Sequence, residues 1–181
     1  PSRGLGDVYK RQVHSVSGVD RLVYKSKSNQ RANLMATRSR IGYVLSDDSI
    51  VSVYHHWDGY PEWLGVTLKE HYNTDEKVRE LIDGGDMSSC YSDNEYDSEK
   101  QEWVKMDPRP TYYSERGEDC PPRHSQTLSE LAEIDCGEEF VYLWFMGEWN
   151  CYAIERKHDD DWNITSTNLS VRIIPNEGVT V

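Results

Sequence analysis

The sequence predicts an α+β domain with a mostly antiparallel β-sheet and about three helices, opening with a β-hairpin that two helices follow. Segments with strand-like alternation lie at both ends of residues 35–181, and segments with helical spacing of apolar residues lie between them. This region has the size of one domain. No apolar run approaches the roughly 20 residues of a membrane span, so we expect no membrane association.

The predicted hairpin comprises residues 39–45 and 50–54, which alternate in polarity around a turn rich in Ser and Asp. The second strand runs into the segment His-His-Trp-Asp-Gly-Tyr-Pro, whose Asp-Gly pair indicates a turn and whose proline suits the start of a helix. That helix is expected over residues 62–71. The next helix begins after a capping box with Asn73 as cap, runs through Ile82 and stops at two glycines.

The segment from 86 to 102 is acidic and poor in apolar residues, and we interpret it as a mobile loop. The run Phe-Val-Tyr-Leu-Trp-Phe-Met at 140–146 is the strongest candidate for a buried strand. The remaining elements are a short strand at 103–106, a third helix at 125–134, and strands at 149–154 and 169–174.

The first 34 residues are interpreted as foreign to the protein. Ser2–Gln12 looks like a translated sequencing adapter, and residues 13–34 are polar, basic and without periodicity, as translated upstream DNA would be. We therefore expect the natural start at Met35 and a disordered segment before it, with a genuine basic tail as the alternative. Without this segment the formal net charge changes from −12 to −17.

Such acidity disfavours direct binding to nucleic acids and to anionic membranes. It remains compatible with mimicry of DNA, with a basic protein partner, or with an anionic ligand held where the few arginines converge. The four cysteines are well separated, so reduced thiols are the expected state.

Arg116 and nearby aromatic residues form the best candidate for a small-ligand site. Arginine binds phosphate bidentately and an aromatic ring stacks on a base, so Arg116 with Tyr112, Tyr113 and Trp149 could form a nucleotide pocket. The alternative is a surface ion pair between Arg116 and a neighbouring carboxylate.

The second candidate is the paired histidines. Because adjacent residues of a strand point to opposite faces, His55 and His56 cannot readily share one metal ion. One of them, such as His56, could form an acid–base pair with Asp58. The alternative is a structural turn in which Trp57 and Tyr60 enter the core and Asp58 bonds its own loop.

We expect no metal and no cofactor. Cys120, His124, Cys136 and Cys151 lack the paired spacing of structural zinc sites. The acidic run at 93–98 lacks the glycine and the distal glutamate of a calcium loop. The common phosphate-binding and hydrolase motifs are missing from the sequence.

Several motifs are dense between Ser39 and Ser89: R-I-G, then Y-H-H-W-D-G-Y-P, and then K-V-x-x-L-I-x-x-G-D-x-S-S. With the R-G-E that begins at Arg116, they resemble a group of small proteins encoded by tailed bacteriophages. The match departs at His55, where the group has Cys, and in the acidic segment. The resemblance implies phage origin and action in the cytoplasm of the infected bacterium, and it assigns no catalytic residue.

The leading hypothesis is a non-enzymatic phage accessory protein that counters host defence by binding and sequestering a nucleotide-type immune signal. Its partner is then a small nucleotide-type ligand, and a homo-oligomer would suit pockets formed between subunits. One alternative is an acidic inhibitor or DNA mimic that binds a host protein. The other is a hydrolase that uses His55 or His56 with Asp58.

Overall fold

The computed structural model describes residues 37–91 and 94–177. The interpretation of residues 1–34 as non-native and disordered lies outside the described residues. Within the described residues strands dominate, and an eight-stranded sheet combines with three α-helices, so the prediction of about three helices is confirmed. No helix in the described part of the chain is long and apolar enough to cross a membrane.

The elements follow one another as β1 (Arg38–Val44), β2 (Ile50–His55), a π-helical turn (Pro61–Gly65), α1 (Val66–His71), α2 (Asp75–Asp83), β3 (Met87–Ser89), β4 (Asn94–Asp97), β5 (Glu102–Lys105), β6 (Thr111–Tyr112), a 3₁₀ turn (Tyr113–Arg116), β7 (Arg123–Ser125), α3 (Leu128–Glu133), β8 (Glu138–Phe145), β9 (Glu148–His158) and β10 (Ile164–Arg172).

The large sheet has the strand order β10-β9-β8-β1-β2-β3-β6, and β7 also pairs with β2. The β1–β2 hairpin is antiparallel, but β1 pairs with β8 and β2 pairs with β3 in parallel. The prediction of a mostly antiparallel sheet is therefore confirmed only in part, because the sheet is mixed. The apolar run in β8 suits its central position, since a strand covered on both faces needs apolar side chains throughout.

The two faces of the sheet have different covers. The first face packs against α1 and α2 in a core that includes Ile41, Val53 and Tyr142. On the second face, α3 covers a smaller apolar cluster around Val141 and Leu143. Where the start of β1 meets the end of β2, the second face is polar, and this part carries the site described below.

The helices α2 and α3 do not begin where they were predicted to begin. Each begins after the residue whose side chain accepts a backbone N–H of the first turn. The cap of α2 is Thr74, whose hydroxyl accepts the backbone N–H of Lys77 at 3.4 Å, whereas the predicted cap Asn73 donates to a carbonyl of the preceding turn. The third helix begins only at Leu128, since the predicted start belongs to β7 and Thr127 provides the cap.

The segment 86–102 contains strands where the sequence predicted a loop. β3 pairs with β2 and β6, and β4 pairs with β5 in a separate two-stranded hairpin. Met87 is fully buried and Asp86 is 8% exposed. An acidic composition predicts that most side chains of a segment are exposed to solvent. It does not predict whether the backbone pairs with another strand, or whether one carboxylate, such as that of Asp86, is buried.

Candidate ligand-binding site

The polar part of the second sheet face forms because polar residues occupy alternate positions at the start of β1 and at the end of β2. Arg40 lies opposite Tyr54, and Arg123 of β7 lies opposite Ser52. Residues directly opposite one another on paired strands direct their side chains to the same face. We call this surface the arginine–tyrosine face and define it by Arg38, Arg40, Tyr54, His56, Asp86, Tyr113, Arg123 and Glu138.

A buried ion pair forms the floor of the arginine–tyrosine face. Glu138 Oε1 accepts hydrogen bonds from Nε of Arg40 at 3.1 Å and from Nη2 at 2.9 Å, and both residues are at most 2% exposed. The other carboxylate oxygen accepts the backbone N–H of Cys136 at 2.8 Å. Arg40 is thereby held rigid and neutralised, so it supports the face but offers little charge to a ligand.

Asp86 joins β2 to the turn that carries Tyr113. Its carboxylate accepts the backbone N–H of Tyr54 at 2.7 Å, and its carbonyl accepts the N–H of Tyr113 at 3.0 Å. Burial raises the pKa of Asp86, while that hydrogen bond and the charges of Arg40 and Arg123 oppose the rise. This aspartate therefore fixes the positions of both tyrosines of the face.

Tyr54 and His56 form a hydrogen-bonded pair at the surface of the face. The Tyr54 hydroxyl lies 2.8 Å from Nδ1 of His56. Burial raises the pKa of Tyr54 to about 12, and the neighbouring Tyr113 contributes to the rise although Arg38 opposes it. Burial lowers the pKa of His56, and the positive charge of Arg38 lowers it further. At neutral pH the pair is uncharged and presents hydrogen-bonding groups.

Two arginines give the face a local excess of positive charge, although Arg123 lowers the pKa of Asp86 and Arg38 lowers that of Glu139, in both cases against the larger effect of burial. The guanidinium of Arg38 packs against Gly137: a β-carbon at that position would lie only 2.8 Å from Nη1 of Arg38. Arg123 is exposed. Neither forms an ion pair with any other described residue. At the margin, Arg116 lies 4.6 Å from the ring centre of Tyr113 and pairs with Glu118 at 3.0 Å.

The residues of the predicted nucleotide pocket divide between the two sides of the sheet. Tyr113 and His56 belong to the arginine–tyrosine face, and Arg116 stacks on the Tyr113 ring at its margin. Tyr112 points the other way, and its hydroxyl donates to the carbonyl of Leu81 at the end of α2 at 2.9 Å. Trp149 packs with the first-face core, and its indole N–H donates to the carbonyl of Tyr72 at 2.7 Å.

Tyr112 lines a separate groove of about 500 Å³ between the helices and the segment before β6. The groove includes the cations Lys77 and Arg109, but it also includes the carboxylates Glu80 and Asp107. Its two cations, Lys77 and Arg109, are matched by its two carboxylates, whereas the arginine–tyrosine face has three arginines against two carboxylates. The arginine–tyrosine face is therefore the better match for an anion.

The structure does not form an acid–base pair from His56 and Asp58. Nδ1 of His56 is occupied by Tyr54, and within the described residues the Asp58 carboxylate has no hydrogen-bond partner. Asp58 has a positive φ of 53°, its carbonyl accepts the hydroxyl of Tyr91 at 2.8 Å, and burial raises the pKa of its carboxyl group. His55 lies on the opposite face with its Nδ1 atom 3.2 Å from the Ser39 hydroxyl. The expectation that Trp57 enters the core is wrong, since 45% of it is exposed.

Sequence reasoning missed most of the floor of the site, namely Arg40, Asp86 and Glu138. A usable signal was present in the hairpin, where polar residues recur at 38 and 40 in one strand and at 52 and 54 in the other, with His56 directly after it. Strands with one polar face and one apolar face show this alternation. No comparable signal marks Asp86 or Glu138, because their partners are distant in sequence.

Among the described residues, no group of three or more His, Cys, Asp or Glu side chains is arranged to hold a metal ion. No protein-family model, curated protein or solved structure matches this chain. Its function is therefore inferred from the geometry of the site.

Proposed function

We propose that this protein is a phage accessory protein that binds and sequesters a nucleotide-type signal of the host, and that the arginine–tyrosine face is the binding surface. The observation that carries the proposal is the pair of arginines, Arg38 and Arg123, that are unpaired among the described residues beside half-buried aromatic residues. This occurs in a chain with a formal net charge of −12. This local excess of positive charge in an acidic chain favours an anionic ligand.

Each part of a nucleotide has a suitable partner on the face. The guanidinium groups of Arg38 and Arg123 suit phosphate oxygens, because charge-assisted and bidentate hydrogen bonds to phosphate are strong. The Tyr54–His56 pair can donate to further oxygens or to a ribose hydroxyl. The ring of Tyr113, already positioned by Asp86 and Arg116, offers a surface for base stacking.

Binding without turnover is favoured by the arrangement of the titratable groups. A general base needs a free nitrogen or carboxylate directed at the reacting group and a partner that orients it. His56 is oriented by Tyr54, but the carboxylate nearest in sequence, Asp58, makes no hydrogen bond to it. The hydrolase remains the alternative, and Asp58→Ala tests it, because full activity in a folded variant would eliminate the proposed role of Asp58.

The arginines are expected to dominate affinity. Arg38→Ala and Arg123→Ala should each weaken nucleotide binding about tenfold or more, since a hydrogen bond to a charged group contributes roughly 1.5–3 kcal/mol. Thermal shift against cyclic dinucleotides, cyclic trinucleotides, NAD and ADP-ribose products identifies the ligand, and calorimetry then measures each variant. The matched control is Arg79→Ala, which removes an exposed arginine of α2 on the other side of the sheet.

Chromatography of the ligand released by heating separates sequestration from catalysis. Intact ligand supports sequestration, and altered ligand supports the hydrolase. If no nucleotide in the panel stabilises the protein, or if Arg79→Ala weakens binding as much as the two face variants do, the proposal is wrong. A pull-down from bacterial lysate would then test the alternative of a host protein partner.

A further inference from the structure

Arg38 and Arg123 lie at diagonally opposite ends of the arginine–tyrosine face. In the register of the hairpin, Arg38 is level with His56 on one side of β2, and Arg123 pairs with Ser52 on the other side. Four residues of β2 and two strand spacings therefore separate the two arginines. At about 3.3 Å per residue and about 4.8 Å per strand, their α-carbons are about 16 Å apart.

The guanidinium groups of these two arginines do not converge. Arg38 extends toward β8, because its Nη1 atom would lie 2.8 Å from a β-carbon at Gly137, the residue before β8. β8 pairs with β1 on the side away from β2. Arg123 lies beyond β2 in the other direction, where its charge lowers the pKa of Asp86 against the larger effect of burial. The face therefore has two separate positions for an anion.

The floor between the two positions is neutral. The charge of Arg40 is matched by Glu138, which accepts two hydrogen bonds from it. The Tyr54 hydroxyl lies 2.8 Å from Nδ1 of His56. Burial raises the pKa of Tyr54 and lowers that of His56, so both are uncharged at neutral pH. The middle of the face thus offers hydrogen bonds without a free cation, and it suits a sugar better than a phosphate.

We propose that the ligand is a dinucleotide whose two phosphates are separated by a ribose, with one phosphate bound at Arg38 and the other at Arg123. This inference rests on the proposed function and specifies the class of nucleotide. The ribose lies over the Tyr54–His56 pair, and one base stacks on Tyr113, which lies on the Arg123 side of β2. In ADP, NAD and ADP-ribose the two phosphates share a bridging oxygen, so these nucleotides reach only one of the two arginines.

Calorimetry of the full chain with four adenine nucleotides tests the proposal. Cyclic diadenylate and the linear diadenylate with a 5′ phosphate carry two phosphates separated by a ribose, ADP carries two adjacent phosphates, and AMP carries one. Guanine counterparts are measured in the same way, because stacking on Tyr113 tolerates every base. We expect both dinucleotides to bind about tenfold or more tightly than ADP and AMP, since they gain a second set of charge-assisted hydrogen bonds. ADP or AMP binding as tightly as the dinucleotides would overturn the proposal.

Arg38→Ala, Arg123→Ala and the double variant show whether the two phosphates are held separately. Each single variant should weaken dinucleotide binding about tenfold or more, and the double variant about a hundredfold or more, because distant sites contribute additively. ADP reaches one of the two arginines, so the single variants should differ about tenfold in their affinity for ADP. A double variant that binds no more weakly than a single one would show that both arginines hold the same phosphate, which contradicts the proposal.

Arg79→Ala is the matched control, since it removes an exposed arginine on the other side of the sheet and should leave every affinity unchanged. If Arg38→Ala does not fold, Arg38→Gln keeps most of the aliphatic stem and tests the same charge. Preferential binding of ADP or NAD overturns this inference and leaves the proposed function standing. Failure of every nucleotide to bind overturns both.

Discussion

Replacing Glu138 with alanine is expected to destabilise the protein by about 3–5 kcal/mol, which is the range for removing one partner of a buried ion pair. The Arg40 guanidinium is 1% exposed and donates two hydrogen bonds to Glu138. In the variant that guanidinium stays charged and buried, with the Ser52 hydroxyl at 3.5 Å as its remaining hydrogen-bond partner among the described residues. Chemical denaturation at neutral pH measures the loss.

The effect should extend to the start of β8. The side chain of Glu138 also accepts the N–H of Cys136, so its removal frees the turn that leads into the strand. Arg156 also loses its ion pair with Glu138 Oε2 at 3.7 Å, but it keeps an ion pair with Asp135 at 3.7 Å and its hydrogen bonds to the backbone carbonyls of Ala132, Ile134 and Glu138. These bonds continue to hold α3 against the sheet.

The matched control removes both charges. Arg40→Met combined with Glu138→Leu replaces the pair by apolar side chains of similar volume, and such replacements are often neutral or stabilising. We expect the double variant to recover most of the stability lost in Glu138→Ala. If the double variant is as unstable as the single one, the cost comes from lost packing or from the lost contact between Glu138 and Arg156, and the interpretation that it comes from the unpaired charge of Arg40 is wrong.

Stability should also fall steeply as pH decreases from neutral, because His55 is buried in its neutral form. Burial lowers its pKa from 6.5 to about 3, and the nearby His56 contributes to the shift. Its ring is fully buried, lies edge-on to Tyr91 at 5.6 Å between ring centres, and leaves Nε2 without a hydrogen-bond partner among the described residues. Protonation of the folded protein would place an unpaired charge in the core.

The sign of the pH effect follows from proton binding. Between about pH 6.5 and pH 3 the unfolded chain binds a proton at His55 and the folded chain does not. The unfolded state is therefore favoured increasingly as pH falls, by about 1.4 kcal/mol per pH unit below the unfolded pKa. Asp86 acts in the opposite direction, since its pKa is raised in the folded protein.

Denaturation at a series of pH values in the wild type and in His55→Gln isolates this contribution. Glutamine is polar and does not titrate, so the variant can be less stable at neutral pH but should lose less stability on acidification. The control is His71→Gln, which replaces a histidine on the rim of the groove beside α2 that is not fully buried. Parallel pH profiles for wild type and His55→Gln would show that His55 does not cause the acid sensitivity.

Several elements could be predicted because their signals are local. The alternation in β1 and β2, the apolar run of β8 and the helical spacing in α2 each locate an element to within a few residues. The π-helical turn was merged with α1, because periodicity over five residues cannot distinguish a π turn from an α turn. Part of the candidate site was also predicted from the sequence: His56, Tyr113 and Arg116 were named as ligand-binding residues, and they lie on or beside the arginine–tyrosine face.

The rest of the site depends on contacts between distant residues. Arg40 and Glu138 are 98 residues apart, and Asp86 reaches Tyr54 across 32 residues. The grouping of Tyr112 and Trp149 with Arg116 relied on residue type and on closeness in the chain, and neither reports which face of a sheet a side chain occupies.

The sequence by itself determined the mixed α/β composition, the hairpin strands and the acidity of the chain, since these follow from composition and short-range periodicity. Only the tertiary structure decided that β8 pairs with β1 in parallel, that Asp86 is buried, and that Arg38 and Arg123 share one face. The physical reason is that strand pairing is a property of two segments at once. A residue's burial and charge partners are therefore set by a strand that can lie a hundred positions away.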